Sequence, residues 1–393
     1  MTFGAVRGSR RLRLIVLSVL TASLAGGVGA LGASRSAEGA MTGFVRTCGT
    51  HFCLGGSVFQ ATGWNTYDLL SHQGPTCNTV AGTAAGQATV LAAAAATRQS
   101  VVRFWLFQDS VWNGSYYDWS NMDQLVTLAH IYGVHLMPVF ENGNGVRWKQ
   151  DPCFRPRPHP EDAWYAGGYN RPYAGMPETF WQYARQVASR YANEPAIFGW
   201  TLMNEPVDDD YPCDSAFYQF FATMTGAVRA VDPNHLITSG SPGPWNHGWT
   251  GTYANGYPCP APAMNTFMKI FALPNNNIVE FHDYYYNAGT DASVAMLQHC
   301  GALRNAAAQC DTDWYQISLA RRLNKPAIVG EMGFPNDPLR AANYARKLAN
   351  ILADGGAGYM AWEFELEPQN YDWYAFGPGD PVLGVLAKYG CGC

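Results

Sequence analysis

The sequence predicts an α/β fold, a single-domain (β/α)8 TIM barrel. Three observations carry this expectation. Eight short apolar runs alternate with amphipathic segments along the chain, the pattern of βα units that build a parallel sheet. Two of the runs stay apolar along their length and turn polar only at the C-terminal end, where parallel barrels carry their active sites. No G-x-G-x-x-G follows any run, so the alternative, an open doubly wound sheet with a dinucleotide site, has no support.

The eight runs are 58–65, 100–104, 135–140, 197–203, 235–240, 278–284, 327–331 and 358–362. The stretch before them, 49–56, reads as short and turn-like. Segment 178–191 places Phe180, Tyr183, Ala184, Val187 and Tyr191 on one face, with Pro177 suited to a first helical turn. Segment 214–231 repeats this with Phe217, Phe220, Phe221, Met224 and Val228, and Asp214 suits its cap. Segment 125–132 stops at Gly133 and segment 341–352 near Gly355, both expected helix ends. The alanine run 92–96 suits helix packing. No repeat, low-complexity linker or appended module interrupts the pattern.

Length and charge narrow the function. A chain of 393 residues suits one large barrel domain. Its net charge of -5 gives no reason to expect nucleic acid or an anionic membrane as partner. Residues 1–33 read as an export signal. Arg7, Arg10, Arg11 and Arg13 precede an apolar run, and Val28-Gly29-Ala30 or Leu31-Gly32-Ala33 suits cleavage. The segment 9–14 also resembles a twin-arginine signal. The apolar run is long enough to span a bilayer as an uncleaved anchor, but its Gly and Ser content favours cleavage. The catalytic domain then covers 34–393, and the mature protein is expected to be secreted, free of the membrane and monomeric. Ten cysteines, all beyond residue 40, suit an oxidising compartment. Cys48/Cys53 and Cys300/Cys310 are the nearest neighbours able to close small loops, and connectivity stays open.

The chemistry concentrates at Gly199-Trp200-Thr201-Leu202-Met203-Asn204-Glu205-Pro206 and Ala327-Ile328-Val329-Gly330-Glu331-Met332-Gly333. Each is an apolar run that ends in one glutamate. Two such carboxylates on one barrel rim can flank a glycosidic bond, one as acid/base and one as nucleophile. Asn204-Glu205-Pro206 together with Glu331 resembles glycoside hydrolase family 5 and its clan of retaining barrel enzymes. The resemblance runs roughly from Val58 to Trp362. It implies that Glu205 is the acid/base and Glu331 the nucleophile. It also implies that Arg103 lies near the nucleophile, that His282 and Tyr284 form the His-x-Tyr pair with Tyr284 donating to Glu331, and that Trp362 supplies a sugar platform. Residue chemistry agrees. An Arg fork suits a carboxylate, alternation turns His282 and Tyr284 to one side, and Asn204 can bond a sugar 2-hydroxyl.

At the end of the third run, many cellulases of this family carry a His. Here the chain reads Val139-Phe140-Glu141-Asn142. Asn142 there, like Val101-Val102-Arg103-Phe104-Trp105, is more similar to the β-mannanase branch. The long loops are aromatic: Trp148, Trp164, Tyr165, Tyr169 and Tyr173, then Trp245 and Trp249, then Trp373 and Tyr374. Some of these suit stacking on sugars and the rest suit loop packing. Asp208-Asp209-Asp210 reads as a solvated turn, since no further oxygen ligands for calcium accompany it. No H-E-x-x-H and no G-x-S-x-G occurs. The expectation is an enzyme without metal or organic cofactor that acts on a polysaccharide or oligosaccharide, an endo-β-1,4-mannanase first. The rivals are an endo-β-1,4-glucanase and a non-catalytic carbohydrate-binding barrel. Retention of both glutamates counts against the last.

Overall fold

The structure, a computed structural model, describes residues 41–70, 79–143, 162–172, 175–206, 215–242, 268–284, 312–367 and 373–391. The 1–33 segment, Asp208 to Asp210 and the Cys300/Cys310 pair lie outside them.

Three short strands come first: β1 (Arg46–Cys48), β2 (His51–Leu54) and β3 (Ser57–Phe59). They pair antiparallel in the order β1-β2-β3. The sequence reading treated 49–56 as a turn and 58–65 as one strand. Instead the chain forms hairpins here and breaks at Gln60. Gly55 and Gly56 both take positive φ (59° and 86°) between β2 and β3, as a two-residue primed turn requires. A disulfide joins Cys48 to Cys53 across the first hairpin, one of the two neighbouring pairs able to close a small loop.

Eight parallel strands follow: β4 (Ala61–Asn65), β5 (Val101–Trp105), β6 (His135–Val139), β7 (Gly199–Thr201), β8 (Leu236–Thr238), β9 (Val279–His282), β10 (Ala327–Met332) and β11 (Gly358–Ala361). Their order is β8-β7-β6-β5-β4-β11-β10-β9. The two outer strands meet: Asn277 N–H donates to Ile237 C=O at 2.7 Å, and His282 N–H donates to Pro242 C=O at 3.3 Å. Six of the eight runs read from sequence contain one of these strands, and the runs 100–104 and 327–331 hold all but the last residue of β5 and β10, so the (β/α)8 expectation holds.

The helices outside the sheet follow their sequence signals. Phe180–Arg190 starts at Thr179, whose side chain forms a capping box with Gln182, so Pro177 lies ahead of the cap. Ser120–Tyr132 begins five residues before the expected 125 and ends at Gly133 with φ 65°. Ser215–Arg229 and Arg340–Ala353 match their expected segments.

The barrel has a closed floor. Val101, Met137, Phe198, Leu236, Ile278, Ile328 and Met360 form one buried cluster with Phe52 and Phe59 of the hairpins. Phe52 meets Phe198 edge-on at 5.1 Å, and Phe59 meets His135 edge-on at 5.0 Å. Burial lowers His135 to about 4, so it packs as a neutral ring. With the floor filled by apolar side chains, polar interior residues collect at the opposite end, where all eight strands terminate.

The turn after β7 depends on Gly240. Its φ is +74°, and a Cβ there would lie 1.6 Å from Met203 O. Its carbonyl accepts the Glu205 N–H at 3.1 Å. Gly240→Ala is expected to cost more than about 2 kcal/mol, read by chemical denaturation. A variant as stable as the parent would show that this contact is relaxed in solution.

Candidate active site

Arg103 occupies the centre of the strand ends and is fully buried. Its Nη1 donates to Asn65 Oδ1 and to Glu331 Oε1, both at 2.8 Å. Nη2 donates to Asn204 Oδ1 at 2.9 Å, and Nε lies 3.3 Å from Glu280. One side chain thus ties together β4, β9, β10 and the segment beyond β7. Its guanidinium also lies 5.0 Å from the centre of the Trp105 ring.

Glu331, the fifth residue of β10, accepts from Arg103 through one oxygen and from the Tyr284 hydroxyl through the other at 2.8 Å. Its side chain is only 4% exposed, whereas that of Glu205 is 21% exposed. Glu205 sits just past β7 with φ 46°, a left-handed conformation that non-glycine residues adopt at a cost and that concentrates at functional sites. Neighbouring strands hold it there. Asn204 N–H donates to Glu141 C=O, and Gly143 N–H donates to Asn204 C=O, both at 2.6 Å.

His282 lies between the two carboxylates. Its Nδ1 is 2.8 Å from Glu205 Oε1 and 3.4 Å from Glu331 Oε2. Burial works against its charge, but Glu331, Glu205 and Glu280 outweigh that and hold the imidazole at about 9. Burial pushes Glu331 above the ordinary carboxylate value. His282, Arg103 and Tyr284 pull it back, while Glu205 adds to the rise. The end of β9 is anchored from behind. Asp283 N–H donates to Glu331 C=O at 2.8 Å, and Lys347 Nζ lies 2.8 Å from Asp283 and 2.9 Å from Asp313.

Donor atoms of Glu205, His282 and Glu331 lie within 4.8 Å of one another. That spacing could admit a cation, but the donors already face two positive groups. Both Glu331 oxygens accept hydrogen bonds, from Arg103 and from Tyr284, and a charged imidazole has no lone pair to give. One oxygen of each glutamate lies within that 4.8 Å, close enough for the two carboxyl groups to flank one glycosidic bond. One carboxylate is buried against donors and one is open to solvent, an asymmetry that suits one ionised group and one proton-carrying group.

All eight residues singled out from sequence lie at this end of the barrel. Asn142 takes a hydrogen bond from Asn204 Nδ2 to its Oδ1 at 3.4 Å. Trp362, directly after β11, stacks on Tyr67 with ring centres 6.1 Å apart and lies 5.8 Å from Trp105. The sequence reading missed Tyr67 and Trp105 in this wall, and also Asn65 and Glu280. Glu280 carried a readable signal. The period-two alternation that pairs His282 with Tyr284 extends back to it, a glutamate inside an apolar strand. Of the loop aromatics, Trp164, Tyr165 and Tyr169 are buried against Phe217 and Phe220. They build the core between helices, so their part is packing. Trp148, Tyr173, Trp245 and Trp249 lie outside the described residues. Trp373 is 71% exposed, and Tyr374 meets Tyr284 edge-on at 5.3 Å.

Removing Arg103 would leave Glu331 and Glu280 buried without their shared cation. Arg103→Met is expected to destabilise the fold by about 3 to 5 kcal/mol. Urea denaturation measures this, and a loss under about 1 kcal/mol would contradict the pairing.

Residues 75–367 match the family model described as Cellulase (glycosyl hydrolase family 5). Mannan endo-1,4-beta-mannosidase A of Podospora anserina is 27% identical over 206 residues, 52% of this chain and 48% of that protein. Mannan endo-1,4-beta-mannosidase 1 of Arabidopsis thaliana is 27% identical over 234 residues, 54% of each. These two matches therefore span about half the length of each relative. The solved structure of the endo-1,4-beta-mannanase from Rhizomucor miehei is similar with a TM-score of 0.64 at 21% identity, covering 88% of this chain and 98% of that one.

Proposed function

This chain belongs to glycosyl hydrolase family 5, and on that premise we propose that it is an endo-β-1,4-mannanase that hydrolyses with retention of configuration. The observation that carries the mechanism is the unequal glutamate pair within 4.8 Å, one buried and one open. Glu331, held by Arg103 and Tyr284, attacks the anomeric carbon. Glu205 gives its proton to the leaving oxygen, then takes one from the water that hydrolyses the glycosyl-enzyme. Asn204 bonds the 2-hydroxyl, and Trp362 lies under the sugar.

The choice of mannan is supported by the names of the relatives and by Asn142 beside Asn204. The 2-hydroxyl is axial in mannose and equatorial in glucose. A site built to bond one orientation leaves polar groups unpaired with the other. The substrate is then a soluble or wall-bound β-mannan. We also propose export, through cleavage of 1–33. The Cys48–Cys53 disulfide suits an oxidising compartment, and among the described residues no helix is long and apolar enough to cross a membrane.

Role separation is testable by rescue. Glu331→Ala is expected to lose turnover by at least about a thousandfold. Azide is expected to restore part of the rate of Glu205→Ala, yielding a β-glycosyl azide, because it attacks the intermediate without needing a base. Near-normal turnover by Glu331→Ala would place the nucleophile elsewhere.

Substrate choice is tested with a reducing-sugar assay on β-mannan and carboxymethyl cellulose. The rate on mannan is expected to be at least about tenfold higher, about 1.4 kcal/mol in the transition state. Equal rates, or a preference for the cellulose derivative, would support the glucanase alternative. No turnover on any β-glycan would support the binding-protein alternative.

A further inference from the structure

The mechanism above gives no role to Glu280, although this carboxylate is buried inside the catalytic cluster. It lies two residues before His282 on β9, on the same face of the strand, and is 0% exposed. Its neighbours are Arg103 Nε at 3.3 Å and His282 Nε2 at 3.8 Å. Among the described residues neither of its oxygens accepts a well-directed hydrogen bond, so its company is two cation-forming side chains. The fold makes room for it. A Cβ on Gly330 of the adjacent β10 would lie 2.4 Å from Glu280 Oε1. Any other residue at 330 would push the carboxylate aside.

An unpaired charge at such a site is too costly to keep, and a second acid beside a nucleophile would oppose its ionisation. Glu280 is tolerable only as one half of a larger balance. We propose that Glu280 is a positioning residue, the buried counter-ion that holds Arg103 and a protonated His282 in place so that Glu331 stays ionised while Glu205 keeps its proton. This rests on the reading of Glu205 and Glu331 given above.

The charge count supports it. Arg103 and the imidazolium carry two positive charges, and Glu280 and Glu331 carry two negative ones. With Glu205 protonated the cluster is then neutral, the resting state a retaining enzyme needs, and in that state the imidazolium is held by Glu331 at 3.4 Å and Glu280 at 3.8 Å. Every charged side chain that the described residues place against His282 enters this count. Glu205 comes from beyond β7, Glu331 from β10, Arg103 from β5 and Glu280 from β9 itself. Behind the strand end, Lys347 Nζ lies 2.8 Å from Asp283 and 2.9 Å from Asp313, and burial lifts the Asp313 carboxyl well above its ordinary value. The Tyr284 phenol is neutral and donates to Glu331. With Glu280 neutralised, the same set of protons would leave the cluster with one net positive charge. Both its protonation steps would then move to lower pH, whichever group yields the proton.

The test is an NMR titration of labelled histidines in wild type and in Glu280→Gln, with His282→Asn identifying the resonance. Glu280→Thr serves as the smaller neutral variant should Glu280→Gln not fold. In wild type, His282 is expected to be charged at pH 7. In the neutral variant its midpoint is expected to fall by at least about one unit. Both limbs of the kcat–pH profile are expected to move acidward, with KM changed by less than about threefold. Glu280→Asp, which keeps the charge, is expected to return the limbs toward wild type. A structural role alone would lower kcat and leave midpoint and limbs in place, and that result overturns the proposal. A neutral His282 in wild type at pH 7 overturns it too, and this measurement needs no variant. The titration needs no turnover, so a wild type inert on all β-glycans would sink the glycosidase reading separately.

Discussion

The site depends on one buried guanidinium. Arg103 is taken wholly out of water, which costs several kcal/mol before anything is recovered. The recovery comes from four directions at once: Asn65, Glu331, Asn204 and Glu280. Each partner arrives on a different strand or just beyond one, so the cost is met only when the barrel is closed and in register. A one-residue slip of β9 or β10 would turn Glu280 or Glu331 outward and strand the cation. The electrostatics of the site therefore enforce the topology of the sheet. The fold in turn delivers Glu331, the proposed nucleophile, already paired with its donors.

The two ends of the barrel divide the work. At the floor, hairpin phenylalanines pack on apolar strand residues and on the neutral ring of His135, and stability there comes from excluded water. At the rim, the backbone departs from comfortable geometry. Glu205 sits at φ 46° and Gly240 at +74°. Gly143 packs so closely that a Cβ would lie 2.3 Å from Pro206 Cα. These choices lower stability locally and are affordable because the floor and the helix–sheet core carry the fold. They bring Glu205 within hydrogen-bond reach of His282 while leaving it partly exposed, as its proposed role in proton transfer requires.

The same division explains what could be read from sequence. The eight strands were legible because burial on both faces writes long apolar runs, and the two glutamates because each ends such a run. The hairpins β1 to β3 were not, because three- and four-residue strands leave little periodicity and Gly55-Gly56 also suits an ordinary turn. For Trp164, Tyr165 and Tyr169 the sequence leaves sugar stacking and loop packing both open, and they are core. Aromatic composition is the same for a ring that stacks on a ligand and one that stacks on Phe220, and only tertiary contact separates them. Glu280 is illegible as a site residue because an interior charge is recognised only by its cation on another strand. Asn65 is illegible too, although it ends β4, because a neutral amide gains its meaning only from the Arg103 that it meets.

The orientation of the sugar-facing groups follows outward from Arg103. A guanidinium only donates, so Asn204 must turn its oxygen to Nη2. That fixes the amide without recourse to the ambiguity between its oxygen and nitrogen. Its NH2 then faces away from the arginine, toward Asn142, where one hydrogen reaches Oδ1 at 3.4 Å. The second hydrogen is available to a ligand hydroxyl on that side. On the proposed reading this donor meets the 2-hydroxyl, the one group whose direction separates mannose from glucose. A histidine in place of Asn142 would offer a ring nitrogen at a different height and could not take the Asn204 hydrogen in the same way. On that reading, specificity at this position follows from the buried charge of Arg103. The cation sets the amide, the amide sets the donor, and the donor selects the hydroxyl it can reach.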